Sequence, residues 1–250
     1  MSEYYTARRS RNLYEPHSSA PFKLSRSKIE LYMQCPRCFY LDRRLGVGRP
    51  PSPPYTLNSA VDALLKKEFD SFRERGEAHP LMKSHALDAV PARHPMLEEW
   101  RNNFKGVQYH HEPTNLLIFG AIDDLWKTPG GEYIVVDYKS TSKNEEIKAL
   151  DKDWHDAYKR QMEIYQWLLR RNGLNVSGKG YFIYCNGNAG LDKFDSRLEF
   201  DMSLIAYEGK DGWVEKVIAD MHRCLNSEVP PPEGLNCDFC AYRRAAKEVL

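Results

Sequence analysis

Asp137 and Lys139 stand two residues apart in the run "EYIVVDYKST" (132–141), directly after Ile134, Val135 and Val136. Side chains alternate faces along a strand, so the carboxylate and the ammonium project from the same side. On one face at the end of an apolar run, they suit phosphate chemistry. The carboxylate is a hard oxygen ligand for a divalent cation; the ammonium can orient a water or stabilise charge developing on a phosphate. An ion pair at the surface end of a strand uses the same residues, and D-x-K alone does not separate the two.

A second apolar run, "NLLIFGAIDDLW" (115–126), carries Asp123 and Asp124, and "KTPGG" (127–131) joins it to the first. A Pro-Gly-Gly loop between two such runs predicts a hairpin. Adjacent residues face opposite sides, so only one of these aspartates can easily join Asp137. Neighbouring strands lie about 5 Å apart, close enough for one carboxylate from each to share a cation.

The other reactive residues are cysteines. "CPRC" (35–38) and "CDFC" (237–240) are two C-x-x-C units at opposite ends of the chain, which together read as a closed four-thiolate site for zinc or an iron–sulfur cluster, with buried structural thiols the alternative. Spacing does not choose between the two metals. A staple over roughly 200 residues removes loop-closure entropy worth on the order of 5 kcal/mol in the chain model. Cys185 and Cys224 stand alone and read as small apolar residues.

The elements that must position these groups are legible in outline. Residues 1–22 read as a flexible, basic arm with Arg8, Arg9 and Arg11. A helix is expected from "SKIE" (27–30), with Ser27 and Glu30 as a capping box. The prolines of "GRPPSPPYT" break the chain, and a second helix starts at Asn58 or Ser59 with Val61, Leu64, Leu65 and Phe69 in helical register. Residues 151–172 predict a helix with Tyr158, Met162, Tyr165 and Leu169 on one face, ended by Gly173. Two strands, an amphipathic helix and a short terminal helix follow, which makes the chain α/β or α+β.

Composition sets the bounds. The 250 residues are 42% hydrophobic and 28% charged with a net charge of +1, a globular composition in which nucleic-acid affinity must come from a local patch. No apolar run reaches the ~18 residues of a membrane span, and no signal peptide opens the chain, so a cytoplasmic, reduced protein without membrane association is expected. There is no Gly-rich phosphate loop, no G-x-S-x-G and no H-E-x-x-H.

Taken together, "GAIDD", "VVDYKST" and "RQMEIYQWLL" resemble, in order and spacing, the PD-(D/E)XK nuclease superfamily, and more narrowly its RecB-like branch with the CRISPR-associated iron–sulfur exonucleases. The resemblance spans roughly residues 24–243. It implies an α/β fold over 23–250: a restriction-endonuclease-like core with a mixed central sheet flanked by helices, its N- and C-terminal parts joined at the four cysteines. It makes Asp123, Asp137 and Lys139 catalytic and Gln161 and Tyr165, i and i+4 on one helix, substrate-binding. Asp123, Asp137 and the backbone carbonyl of Tyr138 would hold Mg²⁺ or Mn²⁺. Where the branch usually has a histidine ligand this chain has Asp62, a departure that leaves Asp62 either a further ligand or a solvated helix residue. The branch places one cysteine early and three late and uses them for a [4Fe–4S] cluster; here Cys35, Cys38, Cys237 and Cys240 are divided two and two, and zinc is the alternative. The implied activity is metal-dependent hydrolysis of DNA, single-stranded or at a duplex end, in an exonuclease or repair role. The alternatives are a nuclease fold that binds DNA without cutting it and a zinc-stapled interaction domain.

Overall fold

The computed structural model describes residues 8–52, 55–143, 145 and 147–249. Strand β1 (Phe22–Ser25) leads into α1 (Arg26–Gln34) and α2 (Pro36–Arg43), and α3 (Thr56–Arg75) follows the proline-rich stretch. Pro53 and Pro54 of that stretch lie outside the described residues. Three short elements come next: α4 (Pro80–Ser84), β2 (Val90–Pro91) and α5 (Leu97–Trp100). Four strands follow, β3 (Val107–His111), β4 (Leu116–Gly120), β5 (Asp124–Lys127) and β6 (Tyr133–Thr141). The chain continues through α6 (Asp156–Arg171), β7 (Lys179–Gly187), β8 (Phe200–Glu208), α7 (Val214–Asn226) and α8 (Asp238–Val249). The fold is α/β, as expected, with the strands in two sheets ordered β1-β4-β3 and β2-β5-β6-β7-β8. Among the described residues no helix is long and apolar enough to cross a membrane.

The chain divides into two compact units. The unit of residues 54–108 and 120–211 contains the five-stranded sheet. Its β6 is hydrogen-bonded on both edges, antiparallel to β5 and parallel to β7, and Ile134 to Tyr138 are all buried. That explains the unbroken apolar run: a strand covered on both faces has no solvent side to make polar. The predicted hairpin of β5 and β6 is present. Leu65 and Phe69 of α3 pack with Trp126, Val136, Tyr138 and Ile183, and the Phe69 ring stacks on Trp126 at 5.6 Å. Helix α6 buries Met162, Ile164, Tyr165, Leu168 and Leu169, and Gly173 follows it at φ +82°.

Two sequence expectations change in this unit. Helix α3 starts at Thr56, ahead of the predicted cap, and Asn58 donates to the Ser140 carbonyl at 3.0 Å instead of capping. The run 115–126 is two strands, β4 and β5, in different sheets. At the break Gly106, with φ +65°, lies so close to Gly120 that a Cβ would fall 2.5 Å from the Gly120 carbonyl oxygen.

The other unit holds residues 1–53, 109–119 and 212–250. Here β1 pairs parallel with β4, Phe22 opposite Leu116. Helix α7 buries Val214, Val217, Ile218, Met221 and Leu225 along one stripe. The predicted capping box of α1 does not form: Ser25 is the N-cap, Ser27 shares a hydrogen bond with Ser25 at 2.8 Å, and Glu30 accepts from Gln34. Residues 8–21, expected within a loose arm, carry contacts to α2 and the turn after it. The Arg9 amide donates to the Gly46 carbonyl at 2.9 Å, its guanidinium to Asp42 at 2.6 Å, and Tyr14 is buried.

Candidate active site

In the pairing of β5 with β6, Asp124 lies opposite Val136, so Asp123, one residue before β5, falls opposite Asp137. The amide of Tyr138 donates to Asp123 Oδ2 at 2.9 Å, which ties the first carboxylate to the strand bearing the second. Asp137 is completely buried, and Lys139 extends on the same face to form an ion pair with its Oδ2. That oxygen has no directed hydrogen bond among the described residues.

Helix α6 closes the site from one side. Gln161 Nε2 donates to Asp137 Oδ1 at 2.7 Å and to the Tyr165 hydroxyl at 3.0 Å, and its Oε1 accepts from Lys139 at 3.4 Å. The i, i+4 spacing puts Gln161 and Tyr165 on one face. Gln161 thus touches both members of D-x-K, with Tyr165 bracing it from the core.

Helix α3 contributes from the opposite side. Asp62 is paired with Lys66 at 2.8 Å, and Lys66 Nζ stands 3.8 Å from Asp123 Oδ1. Asp62 therefore reaches the site through a lysine. Among the described residues it forms no set with Asp123 and Asp137 whose ligand atoms all lie within 4.8 Å.

Burial and the facing carboxylate of Asp137 push Asp123 up to about 6, against the pull of Lys139, Lys66 and the Tyr138 amide. Burial pulls the Lys139 ammonium down, but Asp137 and Asp123 more than offset it and leave the lysine above its ordinary value. These are the properties of carboxylates that gain from a multivalent cation: crowded, desolvated and facing one another. Asp123 and Asp137 offer the two facing carboxylates that a divalent ion uses, with the Lys139 ammonium beside them.

Asp124 does different work. It is fully buried on the other face and accepts from Arg101 at 2.7 Å, from Arg73, from the Leu125 amide at 2.8 Å, from Trp126 Nε1 at 3.1 Å and from the Tyr138 hydroxyl at 2.9 Å. Arg101 Nε also donates to the Asp123 carbonyl at 3.1 Å. Sequence reasoning missed this network and Lys66. The adjacent aspartates and the Asp62–Lys66 spacing were visible, but nothing local links Arg73 or Arg101 to them.

The second chemical centre lies wholly within the other unit. Cys35 caps α2, its sulfur accepting from the Cys38 amide at 3.4 Å, while Cys237 and Cys240 sit at the start of α8. The four sulfurs lie within 4.8 Å of one another, with Cys35–Cys240 at 3.7 Å, Cys38–Cys237 at 3.6 Å and Cys38–Cys240 at 4.0 Å. All are buried, none is in a disulfide, and together they join the N- and C-terminal parts of the chain. Arg49 donates to Cys237 at 3.5 Å, and Arg243 to Cys38 at 3.5 Å and Cys240 at 3.4 Å. Burial opposes ionisation of Cys237, but hydrogen bonds from Cys240, Cys38 and Cys35 outweigh it and bring the thiol down to about 7. Four buried thiols with two guanidinium donors fit a thiolate-bound metal. Cys185 and Cys224 lie outside this cluster, and burial pushes each thiol up to about 11.

A family model for the PD-(D/E)XK nuclease superfamily matches residues 23–245. No curated protein matches the chain. A solved structure similar to it is the crystal structure of SSO0001, with 15% identity, a TM-score of 0.38, and coverage of 91% of this chain and 87% of that one.

Proposed function

Because the chain belongs to the PD-(D/E)XK nuclease superfamily, we propose that it is a metal-dependent deoxyribonuclease whose catalytic groups are Asp123, Asp137 and Lys139. The observation that carries this reading is the register of β5 against β6, which sets Asp123 opposite Asp137, with Lys139 on the same face of the strand as Asp137. Mg²⁺ or Mn²⁺, held by Asp123, Asp137 and the Tyr138 carbonyl, would acidify a bound water and neutralise phosphate charge. Lys139, charged and directed by Asp137, positions the attacking oxygen and stabilises charge on the phosphate. Gln161 fixes the Asp137 carboxylate through Oδ1, and Tyr165 fixes Gln161. Asp62 adds negative charge on the α3 side and becomes available as a ligand where Lys66 turns away.

The substrate reading is DNA with a single-stranded or open end, in an exonuclease or repair role, as the RecB-like resemblance implies. The test is cleavage of end-labelled DNA with Mg²⁺ or Mn²⁺. Asp137→Ala and Lys139→Ala are expected to abolish it with the fold intact; retained activity in both removes the assignment.

The four cysteines form a structural metal staple in this reading. The resemblance implies a [4Fe–4S] cluster, whereas three of the six sulfur–sulfur edges, at 3.6 to 4.0 Å, lie near the ~3.8 Å edge of a tetrahedron around a single ion with 2.3 Å bonds, the others falling within 4.8 Å. A cubane interposes its own iron and sulfide atoms and spreads the thiolates further. These short contacts support the zinc alternative, one tetrahedral ion in place of the cluster. Metal and sulfide analysis after anaerobic purification decides it.

One observation favours the reading of a fold that binds DNA without cutting. Lys66 places an ammonium between Asp62 and Asp123, on the side where the branch usually carries a histidine. DNA binding with no cleavage in any divalent metal would select that reading.

A further inference from the structure

Just ahead of the helix that bears Gln161, the chain builds a cleft that the catalytic groups do not use. The turn Asp153–His155 runs directly into α6, and a cavity of about 200 Å³ opens beside it, lined by Trp154, His155, Lys143, Lys148 and Lys152 together with Ile147. The acidic residues Glu145 and Asp151 share its rim.

The aromatic rings run in sequence from the surface to the catalytic lysine. Trp154 is 45% exposed, with the Lys143 ammonium 4.5 Å above its ring. The ring of Trp154 meets His155 at 3.8 Å and Tyr158 edge-on at 5.6 Å. Tyr158 in turn carries Lys139 Nζ over its face at 4.6 Å. Trp154 is thus separated from a D-x-K residue by a single side chain.

His155 supplies an independent sign of a ligand. It is 2% exposed, and its Nδ1 accepts from the Lys152 amide at 3.1 Å. The ring proton therefore sits on Nε2, and among the described residues that atom has no hydrogen-bond partner. Burial, with Lys143, Lys159 and Lys152 nearby, outweighs Asp151 and holds the imidazole below its ordinary pKa. A buried donor left unpaired is costly, and most buried polar groups have a partner. An acceptor entering the cleft would complete it.

We propose that this cleft holds an unpaired nucleotide of the substrate strand, its base stacked on Trp154 and an acceptor of the nucleotide on His155 Nε2, so that the strand reaches Lys139 in single-stranded form. The proposal rests on the nuclease reading for the identity of the strand. Stacking requires a free base face, which a continuous duplex does not offer, and any base can supply it. Lysines at the rim suit the phosphates, while Glu145, Asp151, Asp153 and Asp156 temper the charge, with Lys152 facing Asp151 at 3.9 Å and Lys159 facing Asp156 at 2.9 Å. Stacking, more than charge, holds the nucleotide.

The test is an anisotropy titration of the whole protein, without divalent ions, using a labelled oligothymidine and a blunt duplex of equal length. Trp154→Ala is expected to weaken single-strand binding roughly 5- to 100-fold, with Trp154→Phe recovering most of the loss and duplex affinity unchanged. His155→Ala weakens the same binding and His155→Gln, which keeps a donor, weakens it less. Unchanged single-strand affinity in Trp154→Ala, or equal losses on duplex and single strand, overturns the proposal. Because binding is read without cleavage, an inactive protein that still shows the Trp154 dependence rejects the nuclease reading and keeps the site. Cleavage that proceeds with the Trp154 dependence absent does the reverse.

Discussion

Arg101 holds two consecutive aspartates in different ways: its guanidinium meets the buried carboxylate of Asp124 at 2.7 Å while its Nε takes the backbone carbonyl of Asp123 at 3.1 Å. The first contact stabilises the fold and the second aims the proposed metal ligand. Removing one partner of a buried ion pair leaves the other charge uncompensated, which costs about 3–5 kcal/mol. Asp124→Ala is therefore expected to lower the urea midpoint sharply, whereas Asp123→Ala, which relieves repulsion with Asp137, leaves the midpoint unchanged or raises it. An unchanged midpoint in Asp124→Ala would show that Asp124 is no structural anchor.

Gly106 is expected to resist substitution. Its positive φ, and the 2.5 Å that would separate an added Cβ from the Gly120 carbonyl oxygen, leave alanine no place without moving the chain that leads to Asp123. Gly106→Ala should cost roughly 1–3 kcal/mol and reduce cleavage beyond what stability accounts for. A variant with wild-type melting and activity would show that the turn has slack.

The four cysteines predict a metal-dependent melting transition. Cys240→Ser or removal of the metal by a chelator is expected to lower stability by up to about 5 kcal/mol. Arg243→Ala, which removes donors to Cys38 and Cys240, should quicken metal loss to a chromogenic chelator. Unchanged melting after complete metal removal would contradict the role of the staple.

Asp42 gives the acid dependence its sign. Burial alone would raise it, but Arg43 and Lys28 outweigh burial and hold the carboxyl below its ordinary value. Lys28 lies at 2.7 Å and Arg43 at 2.9 Å. A carboxyl whose folded pKa is depressed contributes stability above its unfolded value, near 3.9, and loses it as pH falls through the folded one. Stability should therefore fall below about pH 4, and Asp42→Asn should be less stable at pH 7 with a flatter decline in acid. Parallel acid curves for the two proteins would assign the dependence elsewhere.

The groups legible in the sequence are those whose partners are set by local periodicity. Asp137 and Lys139 share a face because strand residues alternate, Gln161 and Tyr165 because helices repeat, and Asp123 meets Asp137 because a short hairpin fixes register. The cysteine pairs declared themselves by spacing. Lys66, Arg73 and Arg101 act through contacts between elements distant in sequence, and no pattern along the chain encodes those. The capping box of α1 failed for a related reason: Ser25 and Ser27 compete for one helix start, and tertiary packing buries Glu30.

The most direct test of the central claim is metal-dependent cleavage of end-labelled single-stranded DNA by the intact protein and by Asp137→Ala and Lys139→Ala, each confirmed to melt cooperatively. A facing pair of carboxylates with the proposed catalytic lysine predicts cleavage in Mg²⁺ or Mn²⁺ that falls roughly a hundredfold or more in either variant. Cleavage at the wild-type rate in both variants, or none by the intact protein in either metal, would contradict it.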